Sequence, residues 1–319
     1  MSFRAVLFDA KGEDRDIDVD GDSSVKVDAH RLLWIDIDDR DPDSLNRAAA
    51  AIGLGASGLR RLGRDDTQAR LLRLPDHVVL SLGVVEPDDP KAERHELDIV
   101  IGPNHVVTVH DRPLTLIDAF REEIHHEERI GELDAASFTA GLIDSVFTVF
   151  FRQIEWIEQE IDRLDEIAVR APASQRFLDH VLALRRRIAR VRRALAPNRE
   201  ALLPLVRPDV ALTLELGETW PGIVQRLERA IDGVENAREL LVGSFDLYLG
   251  RSSQRTNEVM KVLTLVSAIA LPGIVLAGVM GMNFKLAFFD DPNNFFVVAA
   301  AMFVFAAAII GIARWRGWF

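Results

Sequence analysis

Two uncharged stretches near the C-terminus constrain this 319-residue chain more than any other feature. Val262 to Met282 runs 21 residues without a charged side chain, and Phe295 to Ala313 runs 19. As helices they measure about 32 Å and about 28 Å, close to the thickness of a bilayer core. A core helix of a soluble protein is rarely apolar on every face for so long. Two membrane-spanning helices joined by a short loop are therefore expected. Arg251, Arg255 and Lys261 precede the first, Arg314 and Arg316 follow the second, and the loop sets Lys285 against Asp290 and Asp291. The positive-inside rule then places both termini in the cytoplasm, with Trp315, Trp318 and Phe319 at the inner interface.

Charge is segregated along the chain. Hydrophobic residues make up 48% and charged residues 28%, yet residues 261–319 carry net +2 against −14 for the first 260. The large N-terminal portion is acidic, which argues against a nucleic-acid partner. Without a single cysteine, a disulfide framework, a thiolate metal site and a Cys nucleophile are excluded. The opening MSFRAVLFDAKGEDRD turns acidic after one short apolar run, so no secretory signal is expected there. No nucleophile–base or phosphate-loop pattern appears, and an enzyme is not expected.

Seven short runs, most of them rich in β-branched residues and several alternating, mark strands: SFRAVLF, RDIDVD, RLLWIDID, ARLLRL, HVVLSLGVVE, HELDIVIG and HVVTVH. Between the third and fourth, DPDSLNRAAAAIGL offers Asp41 as N-cap with Pro42 in the first turn of a helix. Residues 1–130 read as an α/β domain and 131–221 as a helical hairpin, an acidic helix turning at APAS (171–174) into a basic one. The arginines of that basic helix are expected to pair with the acidic helix beside it. His125-His126 lacks metalloprotease spacing and reads as a helix end. Residues 222–282 suit one long stalk helix continuing into the first span, 283–294 a loop outside the membrane, 295–313 the second span and 314–319 a cytoplasmic tail.

Two spans cannot enclose a watery path, so transport requires several copies. Steps of three and four residues from Asn257 trace Met260, Thr264, Ser267, Leu271, Ile274 and Gly278 to the Gly281-Met282 turn. This stripe is small or polar at several levels and holds no carboxylate. It suits pore lining and ordinary small-residue helix packing equally well. Asn283 closes the span with a neutral amide, which symmetry would repeat as a ring of oxygens. Mg²⁺ gives up its water reluctantly, and such a ring can hydrogen-bond the hydrated ion without stripping it. A plain helix C-cap is the simpler reading of the same tripeptide.

TNEVMKVLTLVSAIALPGIVLAGVMGMNF (256–284) resembles the most characteristic stretch of the CorA family of divalent-cation channels and transporters, within the CorA/ZntB superfamily. WIDI (34–37), LDIVIGPNHVVTVHDRPL (97–114) and SFDLYLGRSSQRTNEVMKVLT upstream extend the likeness over nearly the whole chain. The resemblance implies an α+β cytosolic domain, long stalk helices and two C-terminal transmembrane helices in a homopentameric funnel of the inner (plasma) membrane. It implies that Gly281, Met282 and Asn283 form the selectivity filter, and that Asn257, Met260, Leu263, Ser267, Leu271, Ile274 and Gly278 line the pore. Leu263 replaces the Thr264 of the spacing argument, and both are kept. It implies Mg²⁺ as transported and regulatory ion, with Asp246 a regulatory ligand and Glu86, Asp88 or Asp89 of the next subunit its partner. After Gly-Met-Asn, members specialised for Mg²⁺ uptake often carry Met-Pro-Glu-Leu. This chain has FKLAFFDDPNN instead, so Zn²⁺ or Co²⁺ stands as the alternative cargo, with proton coupling as in the ZntB branch.

Overall fold

Among the described residues, seven strands pair into one sheet in the order β2-β1-β3-β7-β6-β5-β4. They are β1 (Phe3–Asp9), β2 (Arg15–Asp16), β3 (Arg31–Ile37), β4 (Arg70–Arg73), β5 (Val78–Val84), β6 (His95–Ile101) and β7 (His105–His110). Each grows from one of the seven short runs. β2 is the shortest, an edge strand paired only through Val6↔Asp16 and Leu7↔Arg15. All neighbours are antiparallel except the central β3–β7 pair. The computed structural model describes residues 3–9, 14–19, 27, 30–64, 68–87, 89–125, 134–170, 175–206, 219–282 and 293–318.

Side-chain alternation along β3 splits the core into two layers. Leu33, Ile35 and Ile37 pack with Leu45, Ala48 and Leu62 of α1 (Pro42–Ile52) and α2 (Ala56–Leu62). On the opposite face Trp34 meets Phe120 of α3 (Thr115–His125) and Phe138 of α4 (Ala135–Arg170), with ring centroids 6.0 and 5.5 Å apart. Asp41 caps α1 as its sequence suggests, accepting the Ser44 N–H at 3.0 Å, with Pro42 in the first turn. Gly53 ends that helix at φ 68°, a left-handed conformation that only a residue without Cβ adopts freely. Its N–H turns back to the carbonyls of Ala49 and Ala50.

Because helices cover both faces, polar residues of the sheet are buried as well. β6 alternates in sequence, yet every one of its residues is buried. Asp98 accepts from Ser81 Oγ and from Arg40 Nη1 at 2.7 Å, while Glu96 pairs with Arg61 at 3.1 Å. A second buried network joins Asp36 to Arg121 at 2.6 Å, Thr108 at 2.5 Å and His110 at 3.1 Å. Burial alone would raise the Asp36 carboxyl, but the hydrogen bond and charge of His110, with Thr108 and Arg121, hold it below the usual range. His110 is the mirror case: burial lowers it, and Asp36 more than offsets that to raise it.

The helical part follows, with α5 (Gln175–Leu195), α6 (Asn198–Leu202) and α7 (Thr219–Met280), then α8 (Asn293–Trp315). Asn198 is clamped on Gly83, giving its amide to the carbonyl and accepting the N–H, both at 2.8 Å. α7 buries Trp220, Ile223, Leu227, Ala230, Val234, Ala237, Leu241 and Ser244, a repeat of three and four residues that makes one helical face. That face lies against α4, where a Cβ at Gly233 would stand 3.3 Å from Ile154, and Arg226 pairs with Asp144 at 2.7 Å. Of the arginines expected to pair with the acidic helix, Arg187 does meet it, through an amide and an indole rather than a carboxylate, and Arg192 turns to another helix. Arg187 donates to Gln153 and to the carbonyls of Asp89 and Pro90, and stacks 3.8 Å over Trp156. Arg192 reaches Glu235 of α7 at 2.8 Å. Carbonyls that end loops, and a helix distant in sequence, outcompete the neighbouring acids. Two compact units result, and on α7 their boundary falls between Ser244 and Phe245.

Candidate ion pathway

Among the described residues, three helices have the length and composition to cross a membrane, and burial separates them. In α4, 61% of the most apolar stretch is buried inside the chain, which makes it a core helix. In α7 and α8 none of the corresponding stretch is buried. α7 continues through Pro272, which has no N–H and so leaves the carbonyl of Ala268 without its helical partner.

The contact between α7 and α8 selects one face of each. A Cβ at Gly273 would lie 3.0 Å from Met302 Cε, so the glycine gives that side chain its room. The partly covered residues of this length of α7 are Leu265, Ile269, Pro272, Gly273 and Met280. On α8 they include Val298, Met302, Ala306 and Ile309, with Ala313 buried. The sequence-derived stripe lies elsewhere. Asn257, Met260, Leu263, Thr264, Ser267, Leu271, Ile274, Gly278, Gly281 and Met282 are all exposed. At 3.6 residues per turn the two faces are centred about 180° apart on α7. The Thr264 hydroxyl donates to the Met260 carbonyl at 2.7 Å, the local satisfaction open to a hydroxyl in an apolar span. The helix ends as Gly281 N–H bonds Ala277 O at 3.0 Å and Met282 N–H bonds Val279 O at 3.2 Å. Asn283 lies outside the described residues, as do Lys285, Asp290 and Asp291.

The acidic candidates are placed as follows. Asp246 is exposed on α7, two residues beyond the last buried position, flanked by the stacked Phe245 and Tyr248. Glu86 caps α3 from outside, accepting the Thr115 N–H at 3.1 Å and the Thr115 hydroxyl. Asp89 accepts the Lys91 N–H at 2.8 Å and the Glu93 N–H at 2.7 Å. Burial pushes its carboxyl up, and those two N–H groups, with His95 and Arg187, bring it net below the usual range. Gln153 and Arg187 pin the surrounding backbone through the carbonyls of residues 86, 87, 89 and 90. Asp88 lies outside the described residues. Among the described residues no three His, Cys, Asp or Glu side chains converge on one point. The sequence stripe did not reveal the covered face of α7. Its only signal was the small residue Gly273 beside Pro272.

A soluble α/β unit followed by two bilayer-length apolar helices defines a membrane protein of the two-span type. The profile of the CorA-like Mg²⁺ transporter protein family matches residues 29–313, and the chain belongs to that family. It is a family of transporters, not of enzymes. A cobalt/magnesium transport protein, CorA, of Thermotoga maritima is 31% identical over 212 residues, 65% of this chain and 60% of that protein. Its counterpart in Methanocaldococcus jannaschii is 24% identical over 303 residues, 92% of this chain and 93% of the relative. The complete structure of the CorA magnesium transporter from Methanocaldococcus jannaschii superposes with a TM-score of 0.78 at 23% identity, covering 99% of this chain and 98% of the other. Full-length CmaX gives 0.73 at 22% identity, over 98% and 96%. Over 81% of this chain and all of its own, the ZntB cytoplasmic domain of Vibrio parahaemolyticus shares the fold at 0.63 and 12% identity.

Proposed function

We propose that this chain assembles as a homopentamer in the inner (plasma) membrane and conducts divalent cations, Mg²⁺ above all, down their electrochemical gradient into the cytosol. The observation that carries the reading is the opposition of two faces on α7. One packs on α8, and the other, bearing Asn257 to Met282, is exposed, with no cover from the described residues. Copies arranged round an axis would cover that second face and enclose a path lined by Leu271 and Ile274 at its narrow levels, with Asn283 at its mouth. Amide oxygens there hold a hydrated divalent ion loosely enough to release it. An inside-negative potential adds about 2.3 kcal/mol per charge for each 100 mV. Both termini lie in the cytoplasm on the positive-inside count. Flux into proteoliposomes tests the pore directly: Asn283→Ala is expected to abolish selective Mg²⁺ entry while the assembly survives. Wild-type selectivity in that variant would remove Asn283 from the filter, and absence of divalent-cation flux from the wild type itself would make the protein a membrane-anchored scaffold instead.

Cytosolic Mg²⁺ closes the channel in this reading, held between Asp246 of one subunit and the Glu86–Asp89 segment of the next. Glu86 and Asp89 already serve the backbone, which favours Asp88 or shared use of a remaining lone pair. Asp246→Lys is expected to relieve inhibition by internal Mg²⁺, and unchanged inhibition would remove Asp246 from gating. Lys285, standing where uptake members carry an acidic loop, supports the rival cargo Zn²⁺ or Co²⁺. Comparing Mg²⁺, Zn²⁺ and Co²⁺ with and without a proton gradient in the same liposomes decides between them.

A further inference from the structure

Within the first unit, two imidazoles meet at one end of the sheet. His77 Nε2 and His105 Nε2 stand 3.0 Å apart, and His77 Nε2 is 3.2 Å from the carbonyl oxygen of Ile52. The three atoms come from three elements: the last residue of α1, the approach to β5 and the first residue of β7. Two local features build this convergence. Gly53 turns α1 away in the left-handed conformation, and the Ile52 carbonyl at the helix end faces His77. Gly102 makes room for the second ring, since a Cβ there would lie 2.1 Å from His105 Nε2.

We propose that His77 Nε2, His105 Nε2 and the Ile52 carbonyl form a binding site for a transition-metal dication of the Zn²⁺ or Co²⁺ class. Only one of the facing nitrogens can carry a proton and still bond the other, so three lone-pair atoms share a single hydrogen. A metal ion replacing that hydrogen would meet both imidazole nitrogens, with the carbonyl oxygen 3.2 Å from the first of them as the third ligand. At Zn–N distances of about 2.0–2.1 Å, nitrogens 3.0 Å apart subtend about 95°, and a shift of a few tenths of an ångström reaches the tetrahedral angle. The carbonyl belongs to a helix C-terminus, whose partial negative charge favours a cation. A cleft of about 250 Å³ lined by Val27, Ala51, Ile52, Gly53, Asn104 and His105 opens beside the site, giving an entry path and space for water ligands. Imidazole nitrogen prefers Zn²⁺ and Co²⁺, whereas Mg²⁺ seeks oxygen, so the site tells the two classes of ion apart. It needs no pore, and its test reads no flux.

Untagged full-length protein in lipid nanodiscs, saturated with Mg²⁺, is titrated with Co²⁺ and followed by visible ligand-field absorption. One Co²⁺ per chain is expected, with the strong bands of a four- or five-coordinate nitrogen site that Mg²⁺ does not displace. His77→Gln and His105→Gln should each lose the bands. Gly102→Ala should lose them too while keeping both imidazoles, because the new methyl displaces the His105 ring. Cobalt-edge X-ray absorption on the wild type should show two imidazoles per ion, a readout that needs no variant to fold. Bands that survive in both histidine variants, displacement by Mg²⁺, no saturable Co²⁺, or fewer than two imidazoles would each overturn the proposal.

Discussion

The two lengths of α7 on either side of Ser244 are built to different rules. Before it, a face repeating every three or four residues is buried by the chain itself, and charged residues on its flanks pair with α4 and α5. After it no residue of α7 is buried, and apolar side chains such as Leu271 and Ile274 are two-thirds exposed. The same backbone geometry thus serves one region that finds its solvent-excluding partners within the chain and another that must find them outside it. Lipid and further copies are the available cover. Secondary structure, then, says little about where a helix belongs, and the identity of what hides its apolar surface says most.

That contrast can be attacked from both sides. The largest effect is expected inside the self-sufficient unit, where Asp98 is fully buried between Arg40, Arg61 and Ser81. Asp98→Ala strips two buried guanidinium groups of a partner and should cost about 3–5 kcal/mol. Thermal unfolding of the detergent-solubilised protein measures it, and a negligible shift would show that the charges are not locked within the chain. Phe303→Asp should come next. Phe303 is 79% exposed, so its loss leaves the chain's own packing intact, yet a carboxylate at mid-span costs about 2.5–3.5 kcal/mol on insertion. The fraction resisting alkaline extraction from membranes should fall, and full retention would mean that α8 does not face lipid there.

A smaller, pH-dependent effect sharpens the picture of the first unit. The raised His110 contributes stability that is complete below its unfolded value of about 6.5 and fades as pH rises through its folded value. The lowered Asp36 contributes above about 3.8 and is lost only as pH falls through its own depressed value. His110→Gln should therefore lower the melting temperature more at about pH 6 than at about pH 9. An equal loss at both would assign His110 a packing role alone.

Much of this architecture was legible in residues close together in the sequence. Short runs, most of them rich in β-branched residues, marked the strands, Asp41-Pro42 marked the start of α1, and unbroken apolar runs marked the two exposed helices. Burial of charge was not legible, because alternation along β6 says which side chains share a face and not whether a helix covers it. Arg187 shows the same limit. Its partners Gln153, Asp89 and Pro90 are brought together by folding, and the acidic neighbours in sequence proved the wrong guide. The stripe from Asn257 to Gly278 could be read from spacing, but the spacing alone fits pore lining and helix packing alike. The structure adds the opposite, covered face. His77 and His105 lie too far apart in sequence to form any motif, and only Gly102, an innocuous loop residue on paper, hinted at a crowded ring.

The opposition of faces on α7 also bears on how such a protein can change over generations. Under the proposed reading, substitutions along Asn257, Ser267 and Leu271 alter what passes, whereas those along Ile269 and Gly273 alter whether the hairpin of spans holds. Half a helical turn insulates one trait from the other, so new ion preferences can be tried without risking the scaffold that carries them.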